Sequence, residues 1–329
     1  MSKKASLPLL FCILALIPVD ISDLSAASRP PEAAIVDTPG FAFAVAASDG
    51  LAVVADFHKG VRVIDLSIPD RPREVGFLDT PGNARGVGFS KDLALVVDGF
   101  EGLRLVDLSS PTRPREVGFV DTPGFAFDVA VSGNLALVAN GVTGLRVIDL
   151  TAQDRPREVG FLQTPGFALG VAVSGNLALV ADEAEGLRVI DISDPTRPRE
   201  IGSVATPDIA YAVAISGSLA LVAARYSGLR VIDISDPTKP RQVGSFNTPG
   251  YAFDVAVFEN LALVADGSAG LRVIDFSDPT SPREVGFFDT PDLAVGVAVA
   301  GNLALLADFD TGLVIVPLPA VVKIEPDRN

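Results

Sequence analysis

The chain has 329 residues and a formal charge of −15, from 26 Lys and Arg against 41 Asp and Glu. That balance excludes binding through a basic surface to nucleic-acid phosphates or an anionic membrane, both of which need a Lys/Arg surplus. A single histidine, His58, rules out a His-cluster metal site and confines any Ser-His-Asp triad to that residue; a single cysteine, Cys12, rules out a disulfide framework.

In chain order, residues 1–27 read as a secretory signal. Lys3 and Lys4 form a positive start, and Leu7 to Val19 is an apolar run broken by Pro8 and Pro18, short for a bilayer span of about 20 residues. Ser25-Ala26-Ala27 supplies small residues before a cleavage point at Ser28. Cys12 lies within the apolar run and leaves with it, so the mature chain has neither cysteine nor a membrane span, and its stability rests on packing and strand pairing. An uncleaved N-terminal anchor is the alternative. The expected location is outside the cytoplasm: extracellular, on the cell surface or in the periplasm.

A Thr-Pro dipeptide then recurs at Thr38-Pro39, Thr80-Pro81, Thr122-Pro123, Thr164-Pro165, Thr206-Pro207, Thr248-Pro249 and Thr290-Pro291, always 42 residues after the last. A turn dipeptide at one fixed spacing marks the corner of a repeated unit. In the unit starting at Thr122, four short Val- and Leu-rich runs follow, each closed by Gly, Pro, Asn or Asp. They are Ala126–Val131, Leu135–Ala139, Leu145–Leu150 and Arg157–Leu162. These are four strands, a to d, joined by tight turns. Four antiparallel strands per 42 residues predict an all-β, seven-bladed β-propeller of four-stranded blades, over a parallel β-helix with its shorter rungs. Strand a begins with an invariant alanine (Ala42, Ala84, Ala126, Ala168, Ala210, Ala252, Ala294), expected to face the crowded axis.

The two ends are complementary. The last unit lacks the Arg-Glu-Val-Gly-Phe run of strand d, whereas Arg29–Gly40 aligns with Arg71–Gly82 and places an extra strand d before the first unit. Residues 32–37 should therefore complete blade 7, closing the ring and removing its free edges. The propeller is expected over 29–318, with a tail at 319–329 and a monomeric state.

The run Val-Ala-Val-Ser-Gly-Asn-Leu-Ala-Leu-Val-Ala-Asp, followed by Gly-Leu-Arg-Val-Ile-Asp-Ile-Ser-Asp-Pro, is fullest at residues 171–182 and 186–195. It resembles the LVIVD-repeat family of secreted and cell-surface proteins of bacteria and archaea. The resemblance implies a β-propeller in an extracellular setting and no established reaction.

Strand c carries a recurring Arg and Asp, from Arg62/Asp65 to Arg272/Asp275. Their three-residue offset places them on opposite faces, so each is expected to pair with strand d or a neighbouring blade as a structural contact. The b–c loops vary most, and in an a-b-c-d meander they share a face with the residues after each Thr-Pro. That face gathers Phe57, His58, Lys59, Arg85, Phe100, Glu101, Tyr211, Arg225, Tyr226, Tyr251, Phe309 and Asp310, a composition suited to recognition of a protein or glycan partner. The competing reading is that these loops vary because little constrains them, with phenylalanines plugging the opening as core. Asp308, Asp310, Asp182, Glu183 and Glu185 are oxygen ligands that Ca²⁺ accepts, but without EF-hand or nonapeptide spacing, and no cofactor is expected. The resulting expectation is a non-catalytic binding or scaffold module, with no catalytic residue assigned. A hydrolase or lyase using carboxylates at the channel mouth is the alternative.

Overall fold

The computed structural model describes residues 33–321. The expected signal segment and most of the tail lie outside the described residues. Seven four-stranded antiparallel sheets form the blades. In blade 1, strand a is Ala44–Ser48, b Leu51–Ala55, c Val61–Asp65 and d Arg73–Leu78; blades 2 to 6 repeat these at the 42-residue step. In blade 7, strands a (Gly296–Ala300), b (Leu303–Ala307) and c (Leu313–Pro317) are completed by Ala34–Val36 from the other end of the chain. Ala34 lies opposite Ile315, Ile35 opposite Val314 and Val36 opposite Leu313. The latch read from the sequence is in place.

Local chemistry explains the blade. Strands a and b are joined by two-residue turns such as Asp49-Gly50, with φ of 51° and 77°. Left-handed backbone at both positions matches the twist of the flanking strands. Strand b (Leu-Ala-Leu-Val-Ala) is buried on both faces because each blade is sandwiched between two others, so it shows no polar alternation. The core is accordingly a set of inter-blade layers. Leu179, Ala181, Leu187 and Val189 of blade 4 pack on Val213, Ala220, Val222 and Ile232 of blade 5. At about 1.5–3 kcal/mol for each fully buried aliphatic side chain, such layers replace the staples that cysteine would provide. The seam is packed in the same way, with Leu305, Leu313 and Ile315 against Val45, Val54 and Ile64.

One placement differs from the sequence reading. Strand a begins two residues after the invariant alanine. Each alanine is fully buried and bridges to the b–c loop of the preceding blade; Ala42 N, for example, donates to Phe309 O at 2.9 Å. Small size serves close inter-blade contact there, and the axis is lined by the residues that follow. Beyond strand c of blade 7, the short helix Leu318–Val321 packs Leu318 and Val321 on Val285 and Phe288 of blade 6. Among the described residues no helix is long and apolar enough to cross a membrane.

Candidate functional site

Most of the repeated charges are structural. The Thr38 hydroxyl donates to Asp56 Oδ1 at 2.6 Å, and Gly40 N donates to Oδ2 at 3.0 Å. Arg62 Nε lies 3.4 Å from the same carboxylate, and its Nη1 is 3.7 Å from Glu74 on strand d. The Arg62 guanidinium also stacks over Phe77, 4.8 Å from the ring centre. In blades 1 to 4 and 6 the Thr-Pro corner is thus tied down by the first residue of the next b–c loop. Burial raises the pKa of Asp56, against the hydrogen bond from Thr38 and the charge of Arg62. On the other face of strand c, Asp65 meets Arg73 of strand d at 3.4 Å; in blade 4 the equivalent Asp191 and Arg199 are 2.8 Å apart. Hydrogen bonds from Ser193 N and Arg199 hold Asp191 down at about 2. Both contacts run to strand d, the first of the two partners expected, from opposite faces of strand c.

Blade 3 keeps the corner bond with Asn140 in place of the aspartate, and blades 5 and 7 depart from the scheme in opposite ways. Blade 5 has Ala224 where the aspartate belongs, and Arg230 bonds instead to Asn247 Oδ1 at 2.8 Å and to the Ser227 carbonyl. Blade 7 keeps the buried Asp308 but has Val314 in place of arginine, opposite Ile35 rather than a phenylalanine. Asp308 Oδ2 accepts from Asp292 N at 3.0 Å, while Oδ1 has no hydrogen-bond partner among the described residues.

The face bearing the b–c and d–a loops opens into a central cavity of about 390 Å³. Its wall is one position taken from every blade: Phe43, Arg85, Phe127, Leu169, Tyr211, Phe253 and Val295. The next position inward supplies Ala44, Asp128, Gly170, Ala212 and Asp254, with Leu293 and Phe309 completing the lining. Glycine is required at Gly170, where a Cβ would sit 2.6 Å from the Tyr211 carbonyl oxygen of the adjacent blade.

Arg85 lies 4.0 Å above the Phe43 ring and 5.7 Å from that of Phe127. Burial lowers the pKa of its guanidinium, and the nearby Tyr211 phenol opposes that change. Asp128 accepts Val129 N on its own strand and Val171 N on the next blade, each at 2.8 Å. Asp254 does the same with Val255 N and Val297 N, also at 2.8 Å. Both carboxylates therefore staple neighbouring innermost strands. Each keeps some surface accessible in the cavity, yet its carboxylate is surrounded by protein, and burial raises the pKa of both. Asp254 is pushed up to about 6 by burial first, with the charge of Asp128 adding to it.

The predicted face residues fall into groups. Arg85, Tyr211 and Phe309 line the cavity. Phe41 stacks on Phe309 at 4.6 Å with the rings 9° apart, and Phe57 and His58 pack around it at 6.2 and 5.8 Å. Phe100, 74% exposed, stands edge-on to Phe125. Arg225 covers Tyr226 at 4.6 Å, and Tyr226 meets Tyr251 at 4.4 Å. Glu101 is drawn to Arg104 at 3.3 Å. Lys59 contributes its carbonyl to Arg62, and Asp310 N donates to Asp292; none of these last three lines the cavity.

The second residue of every b–c loop has left-handed backbone. Blades 2, 3 and 6 place glycine there (Gly99, Gly141, Gly267), but Phe57, Glu183, Arg225 and Phe309 hold φ of 50°, 52°, 44° and 39°. A bulky residue in that region carries backbone strain, a pattern that clusters at ligand-binding sites.

Sequence reasoning missed Phe127, Leu169, Val295, Asp128 and Asp254. Stepping 42 residues from Arg85 would have found the first three, and the aspartates stand out as the only charges in a register of Ala and Gly. Among the described residues no three metal-ligating side chains form a cluster fit for a metal ion. Asp182 is bound by Thr164, Gly166 and Arg188, and Glu185 by Arg188.

The LVIVD repeat model matches residues 39–80, 81–122, 123–164, 165–206, 209–248, 249–290 and 293–317. The chain belongs to the LVIVD-repeat family. No curated protein matches this LVIVD-repeat chain. Among solved structures it is similar to the WD40 β-propeller domain of Doa1, with 12% identity, a TM-score of 0.70 and coverage of 87% of this chain and 95% of that one. A chain of the mitotic checkpoint complex gives 12% identity and a TM-score of 0.72, covering 87% and 94%. The Cps50 (Swd1) β-propeller domain of Myceliophteria thermophila gives 14% and 0.68, covering 86% and 98%. Likeness at such identities establishes the shared propeller fold alone.

Proposed function

We propose that this chain is an exported, non-catalytic binding module that engages a protein or glycan through the face bearing the b–c and d–a loops. The observation that carries the reading is the aromatic-walled cavity opening on that face, rimmed by exposed Phe100, Tyr226 and Tyr251 and by bulky residues held in left-handed backbone. Rigid aromatic side chains supply large contact area at small entropic cost, and pockets of 300–1,000 Å³ are typical of ligand sites. Similarity to a chain of the mitotic checkpoint complex and to a WD40 domain supports a binding role by analogy of fold. The apolar run after Lys3 and Lys4 supports export.

One observation favours the alternative hydrolase or lyase: Asp128 and Asp254 both face the cavity. Against it, each carboxylate spends both oxygens on backbone N–H groups, and His58 packs against Phe41 and Phe57. A glycan array, together with capture of proteins from culture medium, tests the reading. Partners should be retained by the parent chain and lost when His58, Phe100, Arg225 and Tyr226 are replaced by Ala. Undiminished capture by that variant rejects the face, and turnover of a captured glycan that Asp254→Asn abolishes favours the enzyme.

A further inference from the structure

We propose that the central cavity takes a carboxylate carried on a flat apolar body, with Arg85 as the residue that holds the anion. The inference rests on the binding-face reading and names the chemistry of the cavity wall. Arg85 is the only charged residue in the seven-membered wall. Its guanidinium makes no hydrogen bond or ion pair among the described residues. The strand-c arginines behave differently: Arg62, Arg104, Arg146, Arg188 and Arg272 each meet a carboxylate. A half-buried cation without an anionic partner is costly in an empty site and is relieved by an anion. The depression of its pKa by burial fits that account.

The surroundings narrow the ligand. The guanidinium carbon lies 4.0 Å over the Phe43 ring and 5.7 Å from the centre of the Phe127 ring, contacts that use no hydrogen bond and leave the N–H groups for an acceptor. The Tyr211 hydroxyl, also without a hydrogen bond among the described residues, belongs to the same cavity wall and offers a second donor. Leu169, Phe253, Leu293 and Val295 make the remaining wall apolar, and the volume suits a ring-sized body. Further in, Asp128 and Asp254 repel additional negative charge. A singly charged carboxylate therefore fits better than a phosphate dianion. Such a group is presented either by a free aromatic acid or by a peptide ending in an aromatic residue with a free C-terminus.

Calorimetric titration of the purified chain distinguishes these. Benzoate should bind with a Kd on the order of 1 mM or tighter, as expected for a ligand of that size. Benzamide, its uncharged counterpart, should bind at least about tenfold more weakly. Arg85→Gln should weaken benzoate by a similar factor, and Arg85→Lys, which restores charge without the planar fork, should recover part of the loss. A phenylalanine-terminated peptide that outcompetes benzoate, and loses this on amidation, identifies a chain terminus as the source. Benzoate binding with the peptide excluded identifies a free acid. Equal binding of benzoate and benzamide, unchanged binding by Arg85→Gln, or no binding of benzoate and peptide alike overturns the inference. If Arg85→Gln loses benzoate while the four-residue face variant still captures its partners, the face reading fails and the cavity site stands.

Discussion

Replacing Asp254 with Asn removes a group whose acidity the fold has changed, and the consequence is a pH dependence of definite sign. Burial raises this carboxyl from 3.8 to about 6, with the charge of Asp128 contributing. The folded protein therefore holds the proton more tightly than the unfolded chain. The stability this group contributes is fully present below its unfolded value and is lost as pH rises through about 6. The gap between the two values is worth about 3 kcal/mol. Asparagine does not titrate. Its Oδ1 keeps one of the bonds from Val255 N and Val297 N, while its amide turns a donor toward the other, a loss of about 1–3 kcal/mol at every pH. Relative to the parent, the variant should gain about 3 kcal/mol between roughly pH 3.5 and pH 7.5. In thermal unfolding the difference in Tm should shift by roughly 5 °C in the variant's favour. Rim carboxylates held low, such as Asp191 at about 2, weaken both proteins alike in acid and cancel in the difference. A Tm difference that stays constant across this range would refute the assignment of a raised, buried acid at the cavity floor.

Two further outcomes follow from the packing. Asp182→Ala removes a fully buried acceptor of Thr164 Oγ1 and Gly166 N and a neighbour of Arg188, and should cost about 2–4 kcal/mol in urea unfolding; a loss below about 0.5 kcal/mol would show that the corner is not anchored there. Deleting residues 33–37 bares the edge of Leu313–Pro317 and uncovers Leu313 and Ile315, so melting should fall sharply and light scattering should detect concentration-dependent association; an unchanged monomer with an unchanged Tm contradicts the latch.

Much of the candidate face was legible because loops and corners announce themselves by composition. Arg85, Tyr211 and Phe309 were named from their distance to Thr-Pro or their place in a b–c loop, and all three line the cavity. Glu101 has the same loop signature, but its side chain turns to Arg104, three residues on, because that guanidinium is buried and draws nearby carboxylates. Composition records which residues a loop holds and carries no information on which way each side chain turns.

The sequence by itself determined the number of blades, the strand order and the fastening of the ring. An uninterrupted 42-residue period leaves one architecture, and the surplus strand before Thr38 matches the one missing after Val316. The tertiary structure decided which register faces the axis. The invariant alanines suggested themselves, but their size serves the bridge to the preceding blade, and the following residue points inward. It also decided the partners that no local pattern reveals. Thr38 finds Asp56 only after strands a and b have folded back between them. Asp128 and Asp254, three repeats apart, share one cavity only because seven blades close into a ring. Periodicity is a property of the chain and can be read along it, whereas proximity across the axis exists only once the ring has closed.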